Sequence, residues 1–504
     1  MHVVLSGATG LVGRALSSHL VGQGHCVTAW VRNVERARSE LGPELGYVAT
    51  TDGQALAAAI ATADAVVHLA GAPIVGKRWS KARKRELIDS RVETSRLLVE
   101  AIRRRATPLA ALITASAVGY YGDRGAELLT ETDAPGTGFA AELCEQWEAA
   151  ALSVGPAARR VVLARIGIVL ARNGGAFGPL ARLARLGLAG PIAGGTQWIP
   201  WIHLDDVVRA LSFAIVTPQL EGPVNVVGPS PVPQRAFARA FGRAFQRPAV
   251  LPAPRFAMRA MLGEAAAVLL ASQRAMPVVL ERHGFQFSFP QLESALDDLV
   301  QDHDLAIRRI AKSDLPATPY LDAHRARYVL VARTVVERPL AEVMEFFSNA
   351  ENLSRLTPPE LEFAIQTPRP IAMGAGTVID YQIRLSRIPL RWRTVIEQWE
   401  PGVMFVDAQH RGPYACWWHE HRFRSEGART IMEDRVYYAP PLGILGWIAN
   451  RLFVAGQLRD IFAYRSHAIR MRFGLVPGHA ASSARPSEEM SGSARNAGRA
   501  NKYP

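Results

Sequence analysis

The sequence predicts an α/β fold with a doubly wound parallel Rossmann sheet, followed by a second, α+β domain. From residue 2 to about residue 170, short apolar runs alternate with helical patterns, which is typical of strand–helix–strand units in a parallel sheet. From residue 328 onward, consecutive strand-like runs, the first over 328–336, are separated by Gly and Pro and are followed by one long amphipathic helical stretch over roughly 444–473. The change of pattern indicates two domains of different class in one chain.

The first thirteen residues predict a strand, a glycine-rich turn and the start of a helix. The run from His2 to Ser6 is mostly apolar, and Gly7, Gly10 and Gly13 follow it before leucines at helical spacing. Glycines also serve turns and close packing alone, but between a strand and a helix they let backbone amides approach a pyrophosphate at the positive helix end. We therefore expect a dinucleotide to be bound by Gly7, Thr9, Gly10, Leu11, Val12 and Gly13.

The end of the second predicted strand, at Arg32, indicates which dinucleotide binds. A site for NAD usually places an acidic residue here to hold the ribose 2′-hydroxyl, whereas a site for NADP places an arginine near the 2′-phosphate. Arg32 can make a bidentate contact with that phosphate. The sequence therefore predicts NADP as the cofactor. The alternative is a solvated arginine in a loop that also holds Arg36 and Arg38.

The remaining elements of the first domain continue the alternation. The patterns predict a strand and a helix over 48–60, a strand over 64–71, a helix over 80–105 and further strands over 109–114 and 161–169. Small residues end the 64–71 strand, where the backbone would pass close to the cofactor.

The length and composition are typical of a globular protein with several compact units. With 504 residues the chain exceeds one ordinary core, and 49% hydrophobic and 20% charged residues fit a folded protein. No apolar run reaches the length of a membrane span and a strand begins at the N-terminus, so neither an integral membrane segment nor a signal peptide is expected. The three cysteines are far apart and lack metal-binding spacing, which favours a reduced, cytoplasmic setting.

The net charge of +13 raises the question of nucleic-acid binding. Only five of the 58 basic residues are lysines, the arginines are spread along the chain, and no aromatic-basic motif accompanies them. No nucleic-acid partner is therefore expected. The one dense basic run, 77–85, fits either a solvated helix start or a contribution to the phosphate site.

Five strings in a fixed order identify the family that residues 1–300 resemble. They are 7–13, His68-Leu-Ala-Gly71, 116–122, Arg165-Ile-Gly-Ile-Val169 and 201–206. Together they resemble the extended short-chain dehydrogenase/reductase superfamily of NAD(P)-dependent epimerases and dehydratases. Finer strings, such as Ile88-Asp-Ser-Arg91 and 143–148, are similar to a little-characterised epimerase-family branch once labelled cell-division inhibitors. Residues 251–300 resemble the small C-terminal subdomain of that branch.

The resemblance implies a Rossmann domain that holds NADP and acts on a small-molecule substrate. Arg91 takes the place of an asparagine of the family, on a helix that faces the cofactor, so we expect it to touch the dinucleotide. The cofactor-binding residues that the resemblance adds are Leu69, Ala70, Gly71, Glu86 and Arg91.

The acid–base pair usual in short-chain reductases is missing from the sequence. That pair is Tyr-x-x-x-Lys, in which the lysine lowers the pKa of the tyrosine. Alignment of the helix through residue 148 puts Ala140 and Cys144 in those places. Ser116 and Tyr121 remain as candidate catalytic residues, with Tyr120 the other nearby phenol. Two classes stay open: an NADP-dependent oxidoreductase or epimerase with a rearranged proton donor, and a non-catalytic NADP-binding sensor or regulatory protein.

The second half of the chain predicts a linker, a ligand-binding domain and a tail. Prolines amid polar residues indicate a linker over 301–325 that few buried contacts should cross. Strings at 353–359, 388–392 and 417–423 resemble the SRPBCC superfamily of START-like, polyketide-cyclase-type domains over 326–474. That resemblance implies strands wrapped around one long helix, a helix-grip, with an apolar cavity for a hydrophobic ligand. Residues 475–504 have a composition typical of disorder.

Three histidines allow either structural or chemical roles. His203 precedes two aspartates, which suits a helix start with acids in its first turn as well as acid–base work. His419 and His421 share one face of a strand at a spacing that can bind metal. No third ligand is evident in the sequence, so we expect packing or ligand lining there and predict no metal site.

Overall fold

The computed structural model describes residues 1–473 apart from 173, 176, 186, 301–304, 337 and 386–387. The disorder predicted for 475–504 therefore lies outside the described residues. Within the described part of the chain, no helix combines the length and the apolar run that crossing a lipid bilayer would require.

The N-terminal domain is built on a parallel sheet of seven strands. The strands of this domain are β1 His2–Ser6, β2 Cys26–Val31, β3 Gly46–Ala49, β4 Ala65–His68, β5 Ala111–Ala117, β6 Leu128–Leu129, β7 Val161–Ile166, β8 Ile168–Ala171, β9 Gly174–Gly175, β10 Trp198–Ile199, β11 Trp201–His203, β12 Gly222–Val226, β13 Val232–Pro233 and β14 Arg274–Ala275. The main sheet has the order β12-β7-β5-β4-β1-β2-β3. Strand order reverses on either side of β1, which places the β1 and β4 carboxyl ends at a crevice suited to a ligand.

Helices cover both faces of this sheet. They are α1 Leu11–Gly22, α2 Val34–Leu41, α3 Gly53–Ala61, α4 Lys81–Arg103, α5 Phe139–Leu152, α6 Phe177–Arg185, α7 Leu204–Val216, α8 Gln234–Ala244, α9 Arg255–Leu262, α10 Ala267–Leu270, α11 Val278–Arg282 and α12 Leu292–Val300. One core cluster joins α1, α2 and α7 to the sheet, and a second joins α3, α4 and α5 to its opposite face. Strands buried on both faces explain the near-continuous apolar runs, and the predicted doubly wound sheet is confirmed.

The C-terminal domain is an antiparallel sheet of eight strands with a long helix. Its strands are β15 Leu305–Arg309, β16 Tyr328–Val336, β17 Ala364–Ile365, β18 Val378–Leu385, β19 Ile388–Glu400, β20 Met404–Arg411, β21 Cys416–Glu426 and β22 Arg429–Ala439, in the order β15-β16-β22-β21-β20-β19-β18-β17. Its helices are α13 Pro319–Ala323, α14 Leu340–Phe347, α15 Ile444–Ala449 and α16 Ala455–Phe473. Leu458, Phe462 and Ile469 of α16 are buried against one face of the sheet.

Two segments differ from the sequence-based expectation. The predicted linker contains β15, which adds an edge strand by pairing with β16, and the short helix α13. The predicted single helix over 444–473 is interrupted by a π-helical turn at Asn450–Val454, where Tyr438 donates a hydrogen bond to the Asn450 side chain at 3.1 Å. Both features depend on partners far away in the sequence, so local patterns do not reveal them.

The two domains are in close contact through α1 and α16. A Cβ atom on Gly22 of α1 would lie only 1.9 Å from the carbonyl oxygen of Arg472 on α16. One carboxylate oxygen of Glu44, just after α2, lies 2.9 Å from Nη1 of Arg355 and 2.8 Å from Nη1 of Arg472. A cavity of about 100 Å³ lies along the same contact, between the face of α1 that includes Leu11 and helix α16. The expectation that few buried contacts cross the domain boundary is therefore wrong, because the packing is set by residues more than 300 positions apart.

Candidate functional site

The glycine-rich turn between β1 and α1 is shaped by two close backbone approaches. Gly7 has a φ of +71°, and a Cβ atom there would lie 2.7 Å from the carbonyl carbon of Leu69. A Cβ atom on Gly13 would lie 2.1 Å from the carbonyl oxygen of Gly7. Side chains at either position would push the turn away from β4 or from the first turn of α1. Glycine is thus required for the compact form of this turn.

The N-terminus of α1 offers free backbone donors beside this turn. Gly10 is the N-cap residue and provides no side-chain cap, and the first turn of α1 carries no acidic residue. The first helical hydrogen bond runs from the Arg14 amide to the Gly10 carbonyl at 2.9 Å, so the amides of the three preceding residues lack helical acceptors. Thr9 and Gly10 are exposed. These donors and the helix dipole fit an anion such as a pyrophosphate.

Arg32 follows β2 at the same carboxyl edge of the sheet. Its side chain is exposed and makes no hydrogen bond or ion pair with another residue described in the structure. A guanidinium group without a carboxylate partner is available for a phosphate. Glu86, the acidic residue predicted nearby, lies on α4 and forms an ion pair with Arg83 at 2.7 Å. Its carboxylate is thus already engaged on its own helix.

Arg91 supports the 69–71 turn from the inside. Its guanidinium donates to the carbonyl oxygens of Ala72 at 3.0 Å and Leu87 at 3.2 Å, and lies over the ring of Trp147. A Cβ atom on Gly71 would be 3.0 Å from the guanidinium carbon. Arg91 is 9% exposed, and burial lowers its pKa. The structure thus brings Arg91 to the predicted cofactor turn, with its donors directed at backbone carbonyls.

A buried ion pair joins the end of β5 to α5 and β7. Glu148 receives hydrogen bonds from Nε and Nη2 of Arg165, both at 2.9 Å, and from the Ser116 hydroxyl at 2.6 Å. All three side chains are buried. The bidentate geometry fixes the guanidinium plane. The hydroxyl of Ser116, predicted as catalytic, thus donates a hydrogen bond to a buried carboxylate.

The two neighbouring tyrosines have different environments. Tyr121 is 0% exposed, and its hydroxyl donates to Oδ1 of Asn225 at 2.7 Å and accepts from Nη1 of Arg165 at 3.1 Å. Burial raises the pKa of Tyr121 to about 12. Tyr120 is partly exposed, its ring lies 3.5 Å from the Arg165 guanidinium carbon, and its hydroxyl has no hydrogen-bond partner among the described residues. Of the two phenols, Tyr120 is the one placed to meet a bound molecule.

The positions of the missing acid–base pair lie on α5, beside these tyrosines. The closest neighbours that a Cβ atom on Gly119 would meet are Ala140 at 3.5 Å and the Cys144 sulfur at 3.8 Å. Burial raises the pKa of the Cys144 thiol to about 11, so this thiol is neutral at physiological pH. Neither side chain can lower the pKa of a phenol as a lysine would.

Removal of the Tyr121 hydroxyl will cost stability. In Tyr121→Phe, the buried Asn225 and Arg165 groups lose a partner, so we expect the free energy of unfolding to fall by about 1–3 kcal/mol. Urea denaturation measures this change. Tyr120→Phe is the matched control, and its effect should stay within about 0.5 kcal/mol. Equal effects of the two substitutions would contradict the assigned hydrogen bonds.

His68 is a residue of this region to which the sequence analysis gave no role of its own. Its Nδ1 lies 2.6 Å from the Ser6 hydroxyl, and its ring is buried next to Trp147. Burial lowers the pKa of His68 to about 4, so the imidazole is neutral at physiological pH. It is therefore an uncharged, buried hydrogen-bond partner of Ser6 at the end of β4. The signal available in the sequence for this residue was its position as a histidine at the end of a buried apolar strand.

His203, the first of the histidines with two predicted roles, is fully buried. It is the N-cap of α7 and accepts from the Asp205 amide at 3.2 Å, while its Nε2 lies 3.4 Å from Asp298. These nearby acids raise its pKa against the opposing effect of burial. The contacts fit a helix-capping role.

Comparisons with known proteins match the first 300 residues. Residues 3–228 match the model of the NAD dependent epimerase/dehydratase family, and residues 253–299 match the Domain of unknown function DUF1731. An epimerase family protein of Mycobacterium bovis is 43% identical over 297 residues, which is 58% of this chain and 96% of that protein. The human epimerase family protein SDR39U1 is 36% identical over 307 residues, 60% of this chain and 100% of that protein.

A solved structure resembles the same region. The crystal structure of human SDR39U1 (isoform 2) with NADPH has a TM-score of 0.55 and 35% sequence identity, and it covers 60% of this chain and 99% of that one. The two matching family models cover residues 3–228 and 253–299. Similarity to these proteins thus concerns the N-terminal domain and its small subdomain.

Proposed function

The chain belongs to the NAD dependent epimerase/dehydratase family, and from this premise we propose that its N-terminal domain binds NADP(H). The observation that carries the proposal is Arg32, exposed and without a carboxylate partner among the described residues. The glycine-rich turn fits the pyrophosphate, because its backbone leaves no room for side chains at Gly7 and Gly13 and presents free amides. The human relative solved with NADPH agrees with this choice.

In this proposal some residues contact the dinucleotide, and others hold the contacting residues in place. The backbone of 7–13 and of 69–71 would hold the dinucleotide, and Arg32 the 2′-phosphate. Arg91 would act by fixing the 69–71 turn, since its donors are engaged with backbone carbonyls. Glu86 would not contact the dinucleotide itself, since its carboxylate is paired with Arg83. NADP(H), when bound, supplies hydride transfer.

Loss of Arg32 will weaken NADPH more than NADH. We expect Arg32→Ala to lose a bidentate phosphate contact, which costs about 1.5–3 kcal/mol, or roughly 10- to 150-fold in affinity. Calorimetric titration with both nucleotides measures it. Arg96→Ala, an exposed arginine on α4 paired with Glu93, is the control and should bind NADPH as wild type does. Equal affinities of the wild type for NADH and NADPH would refute the cofactor assignment.

Two functions of this domain are proposed on different observations. Reductase or epimerase activity on a small-molecule substrate is favoured by Tyr120, a partly exposed phenol stacked on a permanently charged guanidinium. A non-catalytic NADP(H) sensor is favoured by the buried hydroxyls of Ser116 and Tyr121, and by Ala140 and Cys144 where tyrosine and lysine are usual. The site geometry supports reductase or epimerase activity better, because the phenol of Tyr120 is free to meet a substrate.

Turnover separates these two functions. If Tyr120 donates the proton, NADPH oxidation with carbonyl substrates should fall by about 100-fold or more in Tyr120→Phe, since general acids contribute that much. NADPH affinity and the unfolding midpoint should remain as in the wild type. NADPH fluorescence follows both binding and consumption. Tight NADPH binding with no consumption across aldehydes, ketones and enones would favour the sensor.

For the C-terminal domain we propose a helix-grip of the SRPBCC type that binds a hydrophobic ligand. Support comes from the antiparallel sheet that packs on α16 and from aromatic rings packed on its inner face, such as Trp392 and Trp417, which meet edge to face with ring centroids 5.3 Å apart. Native mass spectrometry of the purified chain tests for a co-purified lipophilic molecule. A ligand held here would stay near the nucleotide site at high effective concentration.

A further inference from the structure

A cluster of three side chains with metal-ligand chemistry lies on the inner face of the C-terminal sheet. Asp407 of β20 stands directly across the ladder from His419 of β21, and His421 follows on the same face. Oδ2 of Asp407 is 2.8 Å from Nε2 of His421 and 3.4 Å from Nδ1 of His419. The three ligand atoms lie within 4.8 Å of one another. We propose that they bind one divalent transition-metal ion.

The orientation of both imidazole rings supports this assignment. Oδ1 of Asp434 lies 3.0 Å from Nε2 of His419 and 2.8 Å from Nδ1 of His421. One carboxylate thus contacts the far nitrogen of each ring and leaves the near nitrogens, which face Asp407, for an ion. A carboxylate behind a metal-binding histidine fixes the ring and raises the basicity of its ligand atom.

The charge of the cluster also favours a cation. Asp434 is paired with Arg465 of α16, with Nε of the arginine 3.2 Å from its carboxylate. The side chains of His419, His421, Asp434 and Arg465 are all buried. Metal ligation requires neutral imidazoles, and in that form two carboxylates and one guanidinium leave one negative charge among these groups. A divalent ion at Asp407 would compensate that charge, and isolated buried charges are costly.

The donor set restricts the choice of metal. Two imidazole nitrogens and one carboxylate oxygen suit Zn²⁺, Co²⁺ or Fe²⁺ better than Mg²⁺ or Ca²⁺, which prefer oxygen ligands alone. Three protein ligands leave at least one coordination position open. Asp407, with 17% of its side chain exposed, is the ligand closest to solvent and marks the side from which the ion and an exogenous ligand would enter.

The same groups can close into a hydrogen-bonded network without an ion. Nη2 of Arg465 lies 3.0 Å from Nδ1 of His421, and this contact requires that nitrogen to accept rather than donate to Asp434. In that network His421 carries its proton on Nε2 and donates it to Asp407. A metal ion would need Nε2 of His421 without its proton, whereas the closed network keeps the proton there. The two states therefore exclude each other and can be separated by experiment.

Titration of the full chain with Zn²⁺ and Co²⁺ tests the proposal. After treatment with a chelator, calorimetry should show one Zn²⁺ per chain, and Co²⁺ should give the visible absorption of a low-coordinate site. We expect about 100-fold weaker binding or more in His419→Ala and Asp407→Asn, and about 10- to 100-fold weaker binding in Asp434→Asn. His410→Ala is the matched control, because this histidine is exposed and paired with Glu397 outside the cluster.

Three outcomes would overturn the proposal. They are no stoichiometric Zn²⁺ in the wild type, unchanged affinity in Asp407→Asn and His419→Ala, or loss of the ion in His410→Ala. Since His419→Ala opens a space in a core, circular dichroism must first show a native unfolding transition. Asp407→Asn nearly preserves shape, so it decides the question if the histidine variant does not fold. The proposal does not depend on the NADP(H) assignment.

Discussion

Replacement of Arg165 by methionine will lower the free energy of unfolding by about 3–5 kcal/mol, because it leaves the carboxylate of Glu148 buried without a cation. Arg165 also donates to the Tyr121 hydroxyl and stacks on Tyr120, so its loss removes several contacts at the end of β5. Urea denaturation of the full chain, followed by circular dichroism and tryptophan fluorescence, measures the change.

A second substitution distinguishes loss of the pair from exposure of a lone charge. Arg165→Met combined with Glu148→Leu removes both charges, and it should recover a large part of the lost stability. Arg96→Ala, which removes only an exposed arginine, should change stability by less than about 0.5 kcal/mol. If Arg165→Met is as stable as the wild type, then the buried ion pair cannot hold α5 against β7.

Gly13→Ala will strongly impair nucleotide binding. The new Cβ atom would lie 2.1 Å from the Gly7 carbonyl oxygen, so the turn must move away from α1. We expect about 10- to 100-fold weaker NADPH binding and a loss of about 1–3 kcal/mol in stability from overpacking. Calorimetric titration and urea denaturation of the same preparation measure the two effects.

Gly53→Ala provides the control for this experiment. Gly53 begins α3, and a Cβ atom there meets nothing within 4 Å. Alanine should therefore stabilise the chain slightly, by about 0.4–1 kcal/mol, and leave NADPH affinity unchanged. A Gly13→Ala protein that binds NADPH as tightly as Gly53→Ala would show that the dinucleotide does not bind at this turn.

Local sequence patterns predicted the elements whose structure depends mainly on residues that are neighbours in the chain. The strand at His2–Ser6 and the strand at Tyr328–Val336 have the predicted bounds, because apolar runs between turn residues favour strands in either domain. The glycine-rich turn could also be predicted, because its residues are contiguous in sequence.

Features that depend on distant residues could not be predicted. Asp407 was not recognised as a partner of His419, because only the pairing of β20 with β21 brings them together. The buried hydroxyl of Tyr121 has its hydrogen-bond partner in Asn225, more than 100 positions away in the chain. Edge pairing of β15 and the docking of α16 on α1 have the same origin. In each case the decisive neighbour is set by topology, which residue spacing alone does not encode.

The contact at Gly22 has a thermodynamic consequence. Helix α1 presents free amides at its N-terminus, and its C-terminal end has no clearance from Arg472 of α16. Any ligand that displaces α16 must therefore displace α1 with it or break this contact. A nucleotide bound at the other end of α1 would act on the same equilibrium if it bound more tightly to one position of this helix than to the other. By linkage, each ligand would change the affinity of the other by one common factor, so NADP(H) and a C-terminal ligand would each report the occupancy of the other.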